Sequence, residues 1–195
     1  MKKQHKDFNN RDFALRYMKK HKNILTKLGH AYASRLSARG FEQGKILDAG
    51  CGSGDMALAL AEKLPRCEII GTDLSEPLLE YARAEAENRR LHTRVKFLKA
   101  DVLALPFENN SFDVVFSINM VHWVGNPISM LQETERVLKP GGHLYIKDLR
   151  RSWLWLFEKE IRSSFTLEEA GKTIEEAGLR QGTLSKSLLW WTYEV

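Results

Sequence analysis

The feature that most restricts how this 195-residue chain can fold is a glycine cluster, Gly50-Cys51-Gly52-Ser53-Gly54, set between two apolar runs of different texture. Before it, Lys45-Ile46-Leu47-Asp48 is a short apolar run of strand length. After it, Asp55 to Leu64 is rich in alanine and leucine and is closed by Pro65. A strand, a tight turn and a helix in that order predict the opening of a βαβ unit, whose strands must pair in parallel. The same alternation continues. Glu68 to Asp73 predicts a second strand, and Ser75-Glu76-Pro77 supplies an N-cap and an early-turn proline for a helix carrying Leu78, Leu79, Ala82 and Ala86. Val95 to Lys99 predicts a third strand. Phe112 to Ile118 predicts a fourth, too apolar for a strand with one face in water and suited to a central position covered on both faces. Asn126-Pro127 caps a further helix, Pro140-Gly141-Gly142 turns into a fifth strand at His143 to Asp148, and helical stretches follow near Trp153 to Ile161 and Leu167 to Ala177. Two extended runs, Leu179 to Lys186 and Leu188 to Val195, close the chain. The expectation is an α/β protein with one open, mostly parallel sheet and helices on both faces.

Composition agrees with a packed core: 43% of residues are hydrophobic and 28% charged, which excludes wholesale disorder. There is no run of eighteen apolar residues and no apolar stretch behind the basic N-terminus, so the expectation is a cytoplasmic protein without a membrane span. Cys51 and Cys67 lack metal-ligand spacing and the six histidines form no H-x-x-x-H pair, so no metal is expected. The net charge of +5 is concentrated at one end: residues 1–30 hold nine Lys or Arg against Asp7 and Asp12. From Asn10 to Arg39, apolar residues recur at three- and four-residue steps, which predicts one long or two short amphipathic helices. Residues 1–40 are read as an N-terminal helical lid and residues 41–195 as the main domain. The basic segment is either a solvated helix face or a patch for an anionic partner.

Three carboxylates follow predicted strands. Gly52-Ser53-Gly54-Asp55-Met56-Ala57 satisfies the G-x-G-x-x-A form of the dinucleotide fingerprint, but Asp48 just before the first glycine would repel a pyrophosphate. A carboxylate there suits a ligand that also carries an ammonium group. Asp73, ending the second strand, can accept both hydroxyls of a ribose. Asp101 and Val102, after the third, offer an acceptor beside an apolar residue, as an adenine needs. Each acid has a plainer reading: Asp48 capping a turn, Asp73 acting as an N-cap with Ser75, and Asp101 as an exposed loop acid. In a doubly wound sheet whose order reverses at the first strand, the ends of strands 1 to 4 would meet at one crevice.

The segments Ile46 to Gly54, Gly71 to Ser75, Ala100 to Phe107, Phe112 to Val115 and Arg136 to Gly142 together resemble the class I S-adenosylmethionine-dependent methyltransferases, most closely the branch acting on quinones and other small molecules. The resemblance covers roughly residues 40–195. It implies a Rossmann-like seven-stranded sheet in the order 3-2-1-4-5-7-6, with S-adenosylmethionine as methyl donor and S-adenosylhomocysteine as product. It further implies that Asp48 and the loop of Gly50, Cys51, Gly52 and Gly54 hold the methionine end. Asp73 would hold the ribose, Leu74 would pack on adenine, Asp101 and Val102 would read its amino edge, and Ser117 to Asn119 would line the methionine side. The expected partner is a small-molecule acceptor. RNA or protein as acceptor is a weaker alternative, because Ser117-Ile118-Asn119-Met120 is not the N-P-P-Y type of tetrad, and a non-methylating use of the fold is a third. Methyl transfer needs a nucleophile aligned within about 3 to 3.5 Å of the carbon. A base is needed when the nucleophile carries a proton, and His122, in the loop after the fourth strand, is the candidate. Trp153, Trp155 and Phe157 are read as a wall of the acceptor pocket or as helix packing.

Overall fold

The computed structural model describes Phe8, residues 10–151 and residues 164–195. The expected helix over Trp153 to Ile161, and with it Trp153, Trp155 and Phe157, lies outside the described residues. A seven-stranded sheet has the order β3-β2-β1-β4-β5-β7-β6, as the resemblance implied. The chain forms two compact units, Lys6–Asp101 and Val102–Val195.

In the first unit, β1 (Gln43–Ala49), β2 (Arg66–Asp73) and β3 (Val95–Lys99) pair in parallel, with Asp48 opposite Gly71 and Gly71 opposite Phe97. Helices α2 (Asp55–Lys63) and α3 (Glu76–Asn88) are the crossovers. Residues 56–61 of α2 are all buried, as a helix held between a sheet and a second helix must be. That second helix is α1 (Arg11–Ala38), a single continuous helix capped by Asn10, whose side chain accepts from Phe13 N at 3.0 Å. Gly29 stands inside it because α2 leaves no room for a side chain: a Cβ there would lie 2.7 Å from Met56 O. Ala33 and Leu36 are fully buried on the same face, and Ala14 and Met18 pack with Leu78 of α3. Burial of Leu36 alone contributes about 1.5 to 3 kcal/mol. Polar links follow the contact: His30 pairs with Glu62 at 3.0 Å, Arg89 bridges Glu62 and Glu85, and Lys22 donates to Tyr81 Oη at 2.7 Å.

In the second unit, β4 (Phe112–Ile118) is parallel to β5 (Leu138–Leu149), and β7 (Trp190–Glu194) runs antiparallel to both β5 and β6 (Thr183–Lys186). Helix α4 (Pro127–Val137) is capped by Asn126, and α5 (Leu167–Glu176) by a reciprocal capping box of Thr166 and Glu169. The fifth strand starts earlier than His143. Leu138 already pairs with Phe112, and the Pro-Gly-Gly step is absorbed as an irregularity between Phe112 and Val114. Gly141 has φ +75°, and a Cβ on Gly142 would lie 2.8 Å from Asp113 O, so only glycine passes there. Among the described residues no helix is long and apolar enough to cross a membrane.

Candidate functional site

The turn after β1 is held from several directions. Gly50 N and Cys51 N both donate to Thr72 O on β2, at 2.8 and 2.9 Å, and Gly54 N donates to Cys51 O. Asp73 fastens the next residues: one carboxylate oxygen accepts from Gly52 N and the other from Ser75 N, each at 2.9 Å. Asp73 therefore takes the ordinary role open to it, bonding Ser75, and also crosses to the glycine loop. Ser75 sits at the N-cap of α3 but spends its hydroxyl on Phe8 O at 2.6 Å. Gly54 opens α2 in the left-handed region at φ +73°, against Phe97 and Ala82.

Around this turn the first unit gathers negative charge away from water. Asp48 is 2% exposed and its Oδ2 has no hydrogen-bond partner; burial first, then the charge of Asp73, pushes its pKa up to about 7. Asp73 is raised by burial, against the opposing pull of the backbone N–H groups it accepts. Asp55, the first residue of α2, is fully buried, accepts from Ser53 Oγ at 2.6 Å, leaves Oδ1 without a partner and is likewise raised. Burial and the two acids Asp48 and Asp73 push the Cys51 thiol well up, so it is a packing residue here and not a nucleophile. An orphaned buried acceptor costs about 1 to 3 kcal/mol. These acids fit a ligand that brings donors and positive charge, and they do not fit a pyrophosphate. Asp55 escaped the sequence reading because an acid opening a helix looks like an ordinary first-turn residue; its place directly after the last glycine was the only signal. Leu74 is 50% exposed, and Asp101 is exposed in the segment that follows β3.

In the second unit Val102 is buried, Ser117 is fully buried with its Oγ unpartnered, and Asn119 takes φ +59° just past β4 while donating to Lys147 O at 2.7 Å. His122 lies in the loop that follows, 2% exposed. Its ring is oriented by a residue that no local pattern announced: Nδ1 lies 2.5 Å from Asp148 Oδ1, and His122 N donates to Asp148 Oδ2 at 3.1 Å. Asp148 is fully buried near the end of β5 and also accepts from Leu149 N at 2.6 Å. His122 Nε2 is buried without a partner. Among the described residues no cluster of His, Cys, Asp or Glu is placed to hold a metal ion.

Comparison with known proteins adds three findings. The sequence model of the family described as "methyltransferase domain" matches residues 47–146. The chain is 43% identical over 102 residues to a demethylmenaquinone methyltransferase of Thermus thermophilus, covering 52% of this chain and 46% of that protein. The chain spans about half the length of the curated relatives it matches. Among solved structures, a SAM-dependent methyltransferase from Aquifex aeolicus superposes with TM-score 0.71 at 22% identity, over 83% of this chain and 87% of that one. The [4+2]-cyclase SpnF superposes with TM-score 0.68 at 26% identity, over 80% and 58%.

Proposed function

This chain belongs to the methyltransferase domain family, in its class I, S-adenosylmethionine-dependent form, and from that premise we propose that it carries a methyl group from S-adenosylmethionine to a small-molecule acceptor. The observation that carries the reading is Asp48, a buried carboxylate with an unpartnered oxygen beside a second acid at the mouth of a glycine turn. When bound, the donor supplies a methyl group already activated by its sulfonium charge. The chain's part is to bind, orient and exclude water. Asp48 would face the ammonium, and the backbone of Gly50, Cys51, Gly52 and Gly54 would hold the methionine end. Asp73 would take the ribose, Leu74 would lie against the adenine, and Asp101 would meet its amino edge. His122 is proposed to receive the acceptor's proton. A small acceptor is supported by the quinone methyltransferase relative. A cytoplasmic setting belongs to the same proposal and accords with two buried thiols, Cys51 and Cys67.

Calorimetry tests the reading: S-adenosylhomocysteine binds and NAD does not, and the reverse preference would overturn it. In Asp73→Ala the product binds more weakly by about 1.5 to 3 kcal/mol, the scale of a lost charge-assisted hydrogen bond. The same variant is also less stable, because Gly52 N and Ser75 N both lose their acceptor. Unchanged affinity would remove Asp73 from the ribose role.

SpnF, a cyclase, favours a second reading in which the fold serves a reaction other than methyl transfer. Labelled methyl groups fed with S-adenosylmethionine separate the cases: label in a metabolite fraction supports the first reading, label in RNA or protein a macromolecular acceptor, and label in none the second.

We further propose that the N-terminal part of α1 serves as a lid for the donor. Its first turns rest on the start of α3 directly after Asp73 and Leu74, while its C-terminal half is fixed on α2. Hydrogen exchange is expected to slow between Arg11 and Leu28 when S-adenosylhomocysteine is added. Equal protection with and without it would make that part of the helix a fixed element.

A further inference from the structure

We propose that the outward face of α1 is a docking surface for a lipid bilayer that carries acidic headgroups. The surface uses the basic N-terminal segment, which methyl transfer does not employ, and it stands independently of that reading. Residues 1–30 hold nine Lys or Arg against two acids, whereas residues 31–195 hold 21 against 23, so the basicity belongs to this segment. Within α1 the sole acid is Asp12. The helix divides its basic side chains into two sets. Those at its flanks meet acids of the neighbouring helices: Arg11 pairs with Glu80 and Lys22 with Glu85 of α3, and His30 pairs with Glu62 of α2. Arg16, Lys19, Lys20 and Lys27 stand exposed on the other side. Among the described residues Arg16, Lys19 and Lys27 enter no ion pair. Arg16 lies one turn from both Lys19 and Lys20, and like charges at these steps destabilise a helix. The isolated chain gains nothing from such a row, and a negative surface laid against it reverses the cost.

The second observation is apolar. Ile24 stands between Lys20 and Lys27 on that face and is 46% exposed. An aliphatic side chain among lysines suits the boundary between headgroups and acyl chains, where the lysine stems lie along apolar surface and their charges stay in water. It has no comparable use on nucleic acid, whose bases are held by stacking on open ring faces or by forked guanidinium contacts. Here three of the four cations are lysines. The aromatic rings at the N-terminal end of the row are engaged with one another: Phe8 packs edge to face on Phe13 and on Tyr17, with centroids 5.2 and 5.1 Å apart. The row from Arg16 to Lys27 is about 16 Å long, too long to close on a single phosphate and straight enough for a plane. Ala14 and Met18 pack against Leu78 of α3, and Gly29 against α2, on the opposite face, so docking leaves the helix in place.

The test is sedimentation of the full chain with vesicles of phosphatidylcholine, alone or mixed with phosphatidylglycerol. Binding is expected to the mixed vesicles only, and to fade as salt is raised. Equal binding to both, or binding to neither, overturns the proposal without recourse to any variant. Each cation near an acidic surface is worth about fivefold in affinity, so the pair Lys19→Glu and Lys27→Glu is expected to weaken binding by about 25-fold or more. The control pair, Lys63→Glu and Lys186→Glu, alters net charge equally at two other exposed lysines and is expected to bind as wild type does. Equal losses in the two pairs, both shown to be folded by circular dichroism, would mean that net charge and not this face is read. A polarity-sensitive dye attached through Ile24→Cys, with Cys51 and Cys67 buried and out of its reach, is expected to shift to the blue on the mixed vesicles. An unshifted dye on bound protein would place another face against the lipid and overturn the assignment. Duplex RNA that displaces the vesicles, and that the Lys19 and Lys27 pair no longer binds, would overturn it in favour of a nucleic acid.

Discussion

Asp48→Asn is expected to stabilise the ligand-free protein at pH 8 while weakening S-adenosylhomocysteine binding more than 100-fold. The two effects have one origin. Folding lifts the Asp48 carboxyl from its ordinary 3.8 to about 7, chiefly through burial and then through the Asp73 charge. A carboxyl raised on folding favours the folded state fully below its unfolded value, and that contribution is lost as the pH climbs through the folded value. The interval from 3.8 to about 7 is equivalent to about 4 kcal/mol of lost stability by pH 8, at about 1.4 kcal/mol per tenfold change. Asparagine removes the charge but leaves amide donors to satisfy, which returns about 1 to 3 kcal/mol. The net gain at pH 8 is about 1 to 3 kcal/mol, or about 2 to 4 °C in Tm per kcal/mol for a chain of this size. At pH 4 the gain disappears, since the wild-type carboxyl is then neutral in the folded protein. In the complex the order reverses. A buried ammonium that has lost its carboxylate partner costs about 3 to 5 kcal/mol, hence the expected loss of affinity. The wild type is also expected to release protons on binding between about pH 6 and 7, as the ligand's charge pulls the carboxyl back down; calorimetry in buffers of different ionisation enthalpy reads this directly. A variant that binds as well as wild type, or melts lower at pH 8, would show that Asp48 is not an electrostatic receptor.

Gly54→Ala is expected to destabilise the fold by about 2 to 5 kcal/mol, a large share of the 5 to 15 typical of a whole domain. Two costs add. At φ +73° a side chain meets the backbone, for about 1 to 2 kcal/mol. The added Cβ would also stand 2.6 Å from Phe97 Cε1 and 3.0 Å from Ala82 Cβ, and both neighbours are buried, so the sheet and α3 must shift, for about 1 to 3 kcal/mol. Gly40→Ala is the control. Its φ is +81°, but nothing lies within 4 Å of the new carbon, so only the conformational cost remains. Denaturant unfolding of the two variants separates strain from crowding; equal losses would mean that the close packing at Gly54 is relieved at no cost.

The legible parts of this molecule were those written in neighbouring residues. Parallel central strands announce themselves as unbroken apolar runs, and Phe112 to Ile118 needed no partner to be read. Capping is local too, and Asn126 performs in the fold the task its position suggested. The start of β5 was misplaced because Gly141 and Gly142 carry the signature of a turn, and only the pairing of Leu138 with Phe112 converts that turn into a bulge. The need for glycine at Gly29 is set by Met56 of α2, which packs against it from a separate helix.

By itself the sequence determined the alternation of strand and helix, the glycine turn, and the acids at the ends of the strands, because each depends on spacing within a dozen residues. Only the tertiary structure decided what those acids experience. Burial raises Asp48 to about 7, and Asp73 divides its two oxygens between Gly52 and Ser75. The partner of His122 was equally out of reach, since Asp148 stands 26 residues away. Desolvation and hydrogen-bond direction are properties of a place in space, and a carboxylate's chemistry is set by what folding leaves around it.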